Sequence, residues 1–350
     1  MPVEGFVTLR AGLRTWFRVD GDLGAGRVPL LCLHGGPGMP SDALEPLAAL
    51  ALRGRPVVIY DQIGCGRSDR PRDRSLWCPE TFVQEVAGVR RSLGLKRVHL
   101  LGWSWGGMLA LESMLRDPGG VVSLTLASAP ASAPLWSAEL GRLRDQLPHE
   151  VRRAMHRYES HHRPRRVRRR GSHRVRRGTT TARAHRIAIV SRAGFDLLAR
   201  PRIIRLALRA SAVPGLRRLG YEAANVEFVR RHVMRGRPRD APLCIFRSFA
   251  GMNRDVYETM WGPAEYFPTG VLKDWDVTAR LGEIAVPTLL TSGRYDETTP
   301  AQMEVLHRGI RGARWELFDH SAHAALVEEQ DRYIALLEDF LGAAENGRRP

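Results

Sequence analysis

Along the chain, short and mostly apolar runs alternate with stretches in which apolar residues recur every three or four positions. The short runs are Val28–Leu33, Pro56–Tyr60, Arg97–Leu101, Val121–Ala127, Val286–Ser292 and Arg314–Phe318, and their length predicts buried strands. Between them, Thr81–Leu93 places Phe82, Val86, Val89 and Leu93 at helical spacing. Ser41–Arg53 reads as a helix with Ser41 as its N-cap, and Pro300–Arg308 and Val327–Leu341 read as two more. At the N-terminus, Phe6–Arg10 and Arg14–Val19 flank Ala11-Gly12-Leu13 as a hairpin.

Strands alternating with helices imply an α/β protein whose mostly parallel sheet carries helices on both faces. Such a sheet presents its working loops at the carboxyl ends of its strands. From about residue 131 to 272 the alternation stops, and helical or irregular sequence takes over before the pattern resumes. The expectation is a core formed by 1–130 and 273–350, with 131–272 inserted as a helical cap. No internal repeat is visible.

Composition adds limits. The 350 residues are 43% hydrophobic, enough for a sizeable core, without an uncharged apolar stretch of membrane-spanning length. Residues 1–20 mix arginines and acids and lack the central apolar block of a signal peptide, so a cytoplasmic protein is expected. Cys32, Cys65, Cys78 and Cys244 show no metal-binding spacing and read as reduced thiols. The net charge of +17 suggests nucleic acid until it is located. Residues 160–219 hold eighteen arginines, no lysine and one acid, Asp196, so this stretch carries the whole excess and the remainder is balanced.

Chemistry enters at Gly102-Trp103-Ser104-Trp105-Gly106, which follows an apolar run and opens an apolar helix. It fits G-x-S-x-G, the tight strand-to-helix turn that exposes a serine above a sheet edge. A Gly-rich turn with a solvent serine is the plain alternative, since the pattern is short. A serine hydroxyl also needs a base, and the base needs an orienting group. On this kind of turn they follow in the order serine, acid, histidine. Asp296 stands in the loop after Val286–Ser292, and Phe318-Asp319-His320-Ser321-Ala322-His323 follows the last strand. Ser104, Asp296 and His323 are therefore expected as a triad, with His320 shaping the loop. The competing readings are a loop-capping aspartate and surface histidines. His34-Gly35-Gly36-Pro37-Gly38, after an early strand, supplies a side-chain-free approach for an oxyanion. The amides of Gly36 and Trp105 are the expected donors, each worth about 3–4 kcal/mol in the transition state.

These segments, with Tyr60-Asp61-Gln62-Ile63-Gly64-Cys65-Gly66-Arg67-Ser68, resemble the prolyl aminopeptidase (proline iminopeptidase) family of α/β-hydrolases. The likeness continues through Trp261-Gly262-Pro263-Ala264-Glu265-Tyr266, Gly270–Asp276 and Gly293–Glu297, leaving mainly 160–219 uncovered. H-G-G-P-G together with D-Q-x-G-x-G-x-S is much more specific than the serine turn alone. The resemblance implies an α/β-hydrolase fold with an inserted helical cap and removal of an N-terminal residue, usually proline, from short peptides with a free N-terminus. It also implies carboxylates that hold the terminal amine, matching Glu265 and Glu297, which alone would read as a helix-terminal charge and an exposed loop acid. No metal or organic cofactor is implied. Asp61 and Ser68 read as loop-shaping residues. Trp136, Trp261, Tyr266 and Phe267 are candidates for a proline pocket, although aromatics in this setting are more often core.

Within the basic stretch, His161–Arg177 has too little apolar content for a packed core. Ile187–Leu219 instead places Leu197, Leu198, Ile203, Ile204, Leu206 and Leu208 among arginines. A solvated insertion is the favoured reading, ahead of contact with nucleic acid or an anionic membrane. Two alternatives to the aminopeptidase stand: a serine hydrolase of small esters, amides or lactones, and an idle binding protein that uses the basic segment.

Overall fold

The computed structural model describes residues 1–9, 12–162, 200–236, 241–263, 265 and 268–347. Eight strands form one sheet: β1 (Val3–Thr8), β2 (Arg14–Asp20), β3 (Leu30–Leu33), β4 (Val57–Tyr60), β5 (Val98–Trp103), β6 (Val121–Ala127), β7 (Thr288–Gly293) and β8 (Arg314–Phe318). Their order is β1-β2-β4-β3-β5-β6-β7-β8. β1 and β2 pair antiparallel, as does β2 with β4, and every later pairing is parallel. All residues of β3, β4, β5 and β7 are buried, which explains why these strands read as mostly apolar runs rather than alternating ones.

The chain divides into two compact units. The first comprises Met1–Arg142, His232–Arg235 and Pro242–Pro350, and contains the whole sheet. Its helices include α1 (Pro79–Ser92), α2 (Trp105–Arg116) and α3 (Ala133–Asp145). The second comprises Leu143–Arg231 and Gly236–Ala241, with helices α4 (His149–His162), α5 (Pro201–Ala210) and α6 (Arg217–His232), the last of which ends in the first unit. The first unit continues with α7 (Leu243–Gly251), α8 (Arg254–Met260), α9 (Pro300–Gly309), α10 (Ala325–Glu328) and α11 (Gln330–Glu345). Thus α7, α8 and all of α3 up to Arg142, within the expected insert of 131–272, group with the sheet, and the last turn of α3 falls in the second unit.

Two local expectations need correction. Ser41–Arg53 is wound as a 3-10 helix whose N-cap is Pro40, and Pro46 inside it withholds a backbone donor. Ser41 does not cap it. Its N–H and hydroxyl both donate to Asp61 Oδ1, at 2.8 and 2.7 Å. The expected helix Val327–Leu341 is broken at Glu329, whose backbone leaves the helical region, giving α10 and α11.

In the second unit, Ile204, Ala207 and Leu208 of α5 are buried, while Arg202, Arg205, Leu206 and Arg209 are exposed. The apolar stripe on this part of the basic stretch is therefore used largely for internal packing. Tyr158 stacks on Tyr221 with ring centroids 4.3 Å apart, and Arg144 pairs with Glu159 at 2.8 Å. His161–Arg177, apart from the backbone of its first two residues, and Leu197 and Leu198 lie outside the described residues. None of the described helices is long and apolar enough to cross a membrane.

At the amino ends of β3 and β4 a fully buried arginine, Arg55, fastens the C-terminal helix to the sheet. Its guanidinium donates to both carboxylate oxygens of Glu345 (2.8 and 3.2 Å), to Glu338 (3.2 Å) and to the Val28 carbonyl (2.9 Å). Burial opposes ionisation of Glu345, but Arg55 and the Val28 N–H win and push its pKa down to about 2.

Candidate active site

β5 ends at Trp103, and α2 begins at Trp105 with Ser104 between them in a conformation of φ 56°, ψ −121°. Positive φ is uncommon for a residue with a side chain, and it persists here because neighbouring contacts fix it. The Ser104 N–H donates to Ala127 O at 2.9 Å, and its carbonyl accepts from Gly107 N–H at 2.8 Å. The glycines around it are required by space. A Cβ on Gly102 would stand 2.2 Å from Gly106 O, one on Gly106 2.1 Å from Leu33 O, and one on Gly107 2.2 Å from the Ala129 side chain. Crossing of β5 and α2 at this closeness is what raises Ser104 at the carboxyl edge of the sheet.

Asp296 and His323 arrive there from the loops after β7 and β8. Both are buried, and His323 Nδ1–H donates to Asp296 Oδ1 at 2.8 Å. The same Asp296 oxygen accepts the Thr298 N–H at 2.7 Å, which fixes the carboxylate from its own loop. The backbone of His323 is held by the residue beside the serine, since Trp103 Nε1–H donates to the His323 carbonyl at 2.9 Å. Ser104 and His323 are tied through Trp103, and no hydrogen bond joins Ser104 Oγ to Nε2 among the described residues. His320 lies apart. Its N–H donates to Glu329 and shapes the loop.

Nε2 of His323 faces Glu297 Oε1 at 3.8 Å. Glu265 completes the group, accepting the Tyr257 hydroxyl hydrogen on its carboxylate while its carbonyl accepts Trp261 Nε1–H at 3.0 Å. Burial pushes the carboxyl pKa of Glu297 well above the usual range, and the nearby Glu265 and Asp296 reinforce it against the attraction of His323. Burial also raises Glu265, partly offset by Tyr257 and His323. For His323, burial disfavours the charged ring, but Asp296, Glu297 and Glu265 outweigh it and push its pKa up to about 9. Asp296 Oδ2 and Glu297 Oε2 are buried with no hydrogen-bond partner among the described residues. Such acceptors suit a cationic donor. Trp136 packs edge-on against both Trp261 (6.0 Å between centroids) and His323 (6.2 Å), walling the cluster on one side. Tyr266 and Phe267 lie outside the described residues.

Gly36 has φ 46°, and a Cβ there would be 2.6 Å from Met39 Sδ. Its N–H donates to no backbone acceptor among the described residues. Trp105 is the first residue of α2, where an N–H has no intrahelical acceptor. Neither amide is committed to a backbone acceptor among the described residues.

Sequence reasoning passed over the group that connects them. Gln62 N–H donates to His34 Nε2 (3.0 Å), its side-chain amide donates to His34 O (3.2 Å), and its Oε1 accepts Trp105 Nε1–H (2.8 Å). Because Nε2 accepts a backbone N–H, the proton sits on Nδ1, which donates to Gly35 O at 3.1 Å. Burial lowers the His34 pKa and keeps this ring neutral. The only sequence signal was the position of Gln62 inside D-Q-x-G-x-G-x-S. Asp61 accepts from the Ser41 and Arg67 backbone N–H groups, and Ser68 Oγ donates to Asp61 O, so both shape the same loop. Among the described residues no group of three or more His, Cys, Asp or Glu side chains is arranged to hold a metal ion.

Comparison with known proteins follows this geometry. A family model for the alpha/beta hydrolase fold matches residues 28–330. A proline iminopeptidase of Heyndrickxia coagulans is 33% identical, over 98% of this chain and 100% of its own. The crystal structure of a proline iminopeptidase from Mycobacterium smegmatis superposes with a TM-score of 0.76 at 32% identity, covering 99% of both chains. That of VinJ superposes with a TM-score of 0.78 at 30% identity, covering 98% of this chain and 99% of its own.

Proposed function

The chain belongs to the proline iminopeptidase family of α/β hydrolases, and from that membership we propose that it releases N-terminal proline from short peptides by a Ser104–His323–Asp296 mechanism. It is a hydrolase, a serine exopeptidase. The observation that carries the finer reading is the meeting of a histidine–aspartate pair with two buried-side carboxylates, Glu265 and Glu297, at one imidazole.

Each part has a chemical role. Glu265 and Glu297 accept the two hydrogens of the protonated secondary amine, which places the first peptide carbonyl over Ser104. His323 takes the Ser104 proton as Oγ attacks that carbonyl, and the carbonyl electron pair moves onto oxygen. The amides of Gly36 and Trp105 hold the oxyanion. Collapse of the intermediate breaks the C–N bond, with His323 protonating the departing amine. Water, deprotonated by His323, then attacks the acyl-enzyme; the ester C–Oγ bond breaks, His323 returns the proton to Ser104 Oγ, and proline leaves. Asp296 keeps the proton of the neutral ring on Nδ1, so that Nε2 offers its lone pair.

The test is turnover of a proline arylamide beside its N-acetyl derivative. Cleavage of the free-amine compound and at least ~100-fold slower cleavage of the acetylated one is expected, since losing the ammonium removes two charge-assisted bonds. Equal rates would reject the amine-anchoring reading.

A further inference from the structure

The amine-anchoring role gives Glu297 to the substrate, yet its Oε1 already lies 3.8 Å from His323 Nε2, the nitrogen that must receive the Ser104 proton. Its Oε2 is buried and lacks a hydrogen-bond partner among the described residues. Nε2, for its part, has no hydrogen bond to Ser104 Oγ among the described residues. The contact of Nε2 is with the substrate-binding acid.

We propose that Glu297 gates the catalytic base: in the empty site it pairs electrostatically with the protonated ring of His323 across 3.8 Å, and the ammonium of an incoming N-terminal residue displaces that pairing and frees the imidazole for Ser104. This rests on the amine-anchoring reading and adds an order of events to it. The groups facing the ring all favour its charged form. Asp296 takes Nδ1–H, Glu297 faces Nε2, and Glu265 approaches from the segment after α8. Behind Asp296, Glu328 of α10 accepts the Ala322 N–H and adds a further carboxylate. Trp136 and Trp103, the neighbouring side chains on the other faces, carry no charge.

With three carboxyl groups crowded against one imidazole, the empty site retains a proton within the His323–Glu297 pair. A histidine with a pKa of about 9 is only about 1% unprotonated at pH 7, too little for an effective general base. A substrate ammonium seated between Glu265 and Glu297 neutralises the charge that holds the ring proton. That proton leaves to solvent, and Nε2 can then accept the one on Ser104 Oγ. An ester without an amine meets a protonated base and is turned over slowly even when it binds. Selectivity for a free N-terminus would thus appear in the chemical step as well as in binding.

The experiment compares the parent enzyme with Glu297→Gln on a proline arylamide and on an amine-free aryl acetate, across pH 5 to 10. In the variant, aryl acetate hydrolysis at pH 7 should rise about tenfold, with its ascending limb moved down toward neutrality, while proline arylamide turnover falls at least tenfold. Unchanged aryl acetate rates and pH profile, with proline arylamide turnover lost, would overturn the gate and leave amine anchoring intact. Proline arylamide turnover that survives the substitution would overturn both. A measurement on the parent enzyme alone guards against a misfolded variant. Calorimetric binding of pyrrolidine at pH 7.5, repeated in buffers of different ionisation heat, should release about one proton per site; release of none would overturn the gate.

Discussion

The indole N–H of Trp105 donates to the side-chain oxygen of Gln62 at 2.8 Å, while the same amide group donates to the carbonyl of His34 at 3.2 Å. One buried side chain therefore joins the loop that carries Gly36 to the helix that starts at Trp105. The two proposed oxyanion donors belong to elements far apart in sequence, and their spacing depends on this bridge. Gln62→Leu should lower kcat about 10–100-fold with KM little changed, because a misplaced donor weakens transition-state binding and leaves the amine contacts alone. It should also cost about 1–3 kcal/mol in a urea titration, since the Trp105 N–H and His34 carbonyl lose buried partners. A matching loss in KM would place Gln62 in substrate binding instead.

Ser104 stands at positive φ, a conformation that suits glycine better than serine. Ser104→Gly should abolish turnover and at the same time stabilise the fold by about 1 kcal/mol, visible as a higher melting temperature. Ser104→Ala should abolish turnover without that gain, because it keeps a Cβ at the strained position. Residual peptidase activity in either variant would reject Ser104 as the nucleophile.

Asp296→Asn probes the orientation of the base. The substitution keeps the shape but offers Nδ1 an amide, which no longer selects the tautomer with a free Nε2. A loss of about 10⁴ in kcat is expected, with folding preserved. The effect on pH dependence has a definite sign. Asp296 raises the His323 pKa, so its removal should shift the ascending limb of aryl acetate hydrolysis downward from about 9. An upward or absent shift would contradict the electrostatic account of this histidine.

Much of this was legible before any coordinates. The parallel strands gave themselves away because burial on both faces removes the alternation that an exposed face would impose. The serine turn was legible for a steric reason, since Gly102, Gly106 and Gly107 each stand where a Cβ would strike backbone or a packed methyl. The order of acid and histidine placed Asp296 and His323 together. What sequence could not give was contact between residues without a periodic signature. Ser41 looked like a helix cap, but a buried aspartate twenty positions later offered it a charged acceptor. Gln62 and Trp103 looked like letters of their motifs, and Trp136 like a pocket or core aromatic, yet they hold or wall the histidine and the proposed oxyanion donors. Nor could spacing reveal that Glu297 faces the ring of His323, a relation made by two loops from different strands.

Acid stability follows from the far end of the sheet. Glu345 has a folded pKa of about 2 against an ordinary value of 4.5, so the stability it contributes is present above pH 4.5 and is lost as pH falls toward 2. His99, buried beneath the same cluster, is pushed down to about 4 from 6.5, mainly by burial and by Arg55. Its unfolded form binds a proton that the folded form refuses, so stability is lost as pH falls from 6.5 toward 4. The two losses run in sequence, and the Glu345 contribution, screened by solvent at its partly exposed carboxylate, is about 1–3 kcal/mol at full ionisation. Glu345→Gln should remove the second loss while weakening the fold at pH 7 by about 3–5 kcal/mol, because Arg55 is fully buried and would keep only Glu338 as a charged partner. Urea midpoints measured from pH 7 to pH 3 in the parent and the variant distinguish these effects. Below pH 4.5 the parent should lose stability more steeply than the variant, and parallel curves there would show that the Arg55–Glu345 pair does not govern acid unfolding.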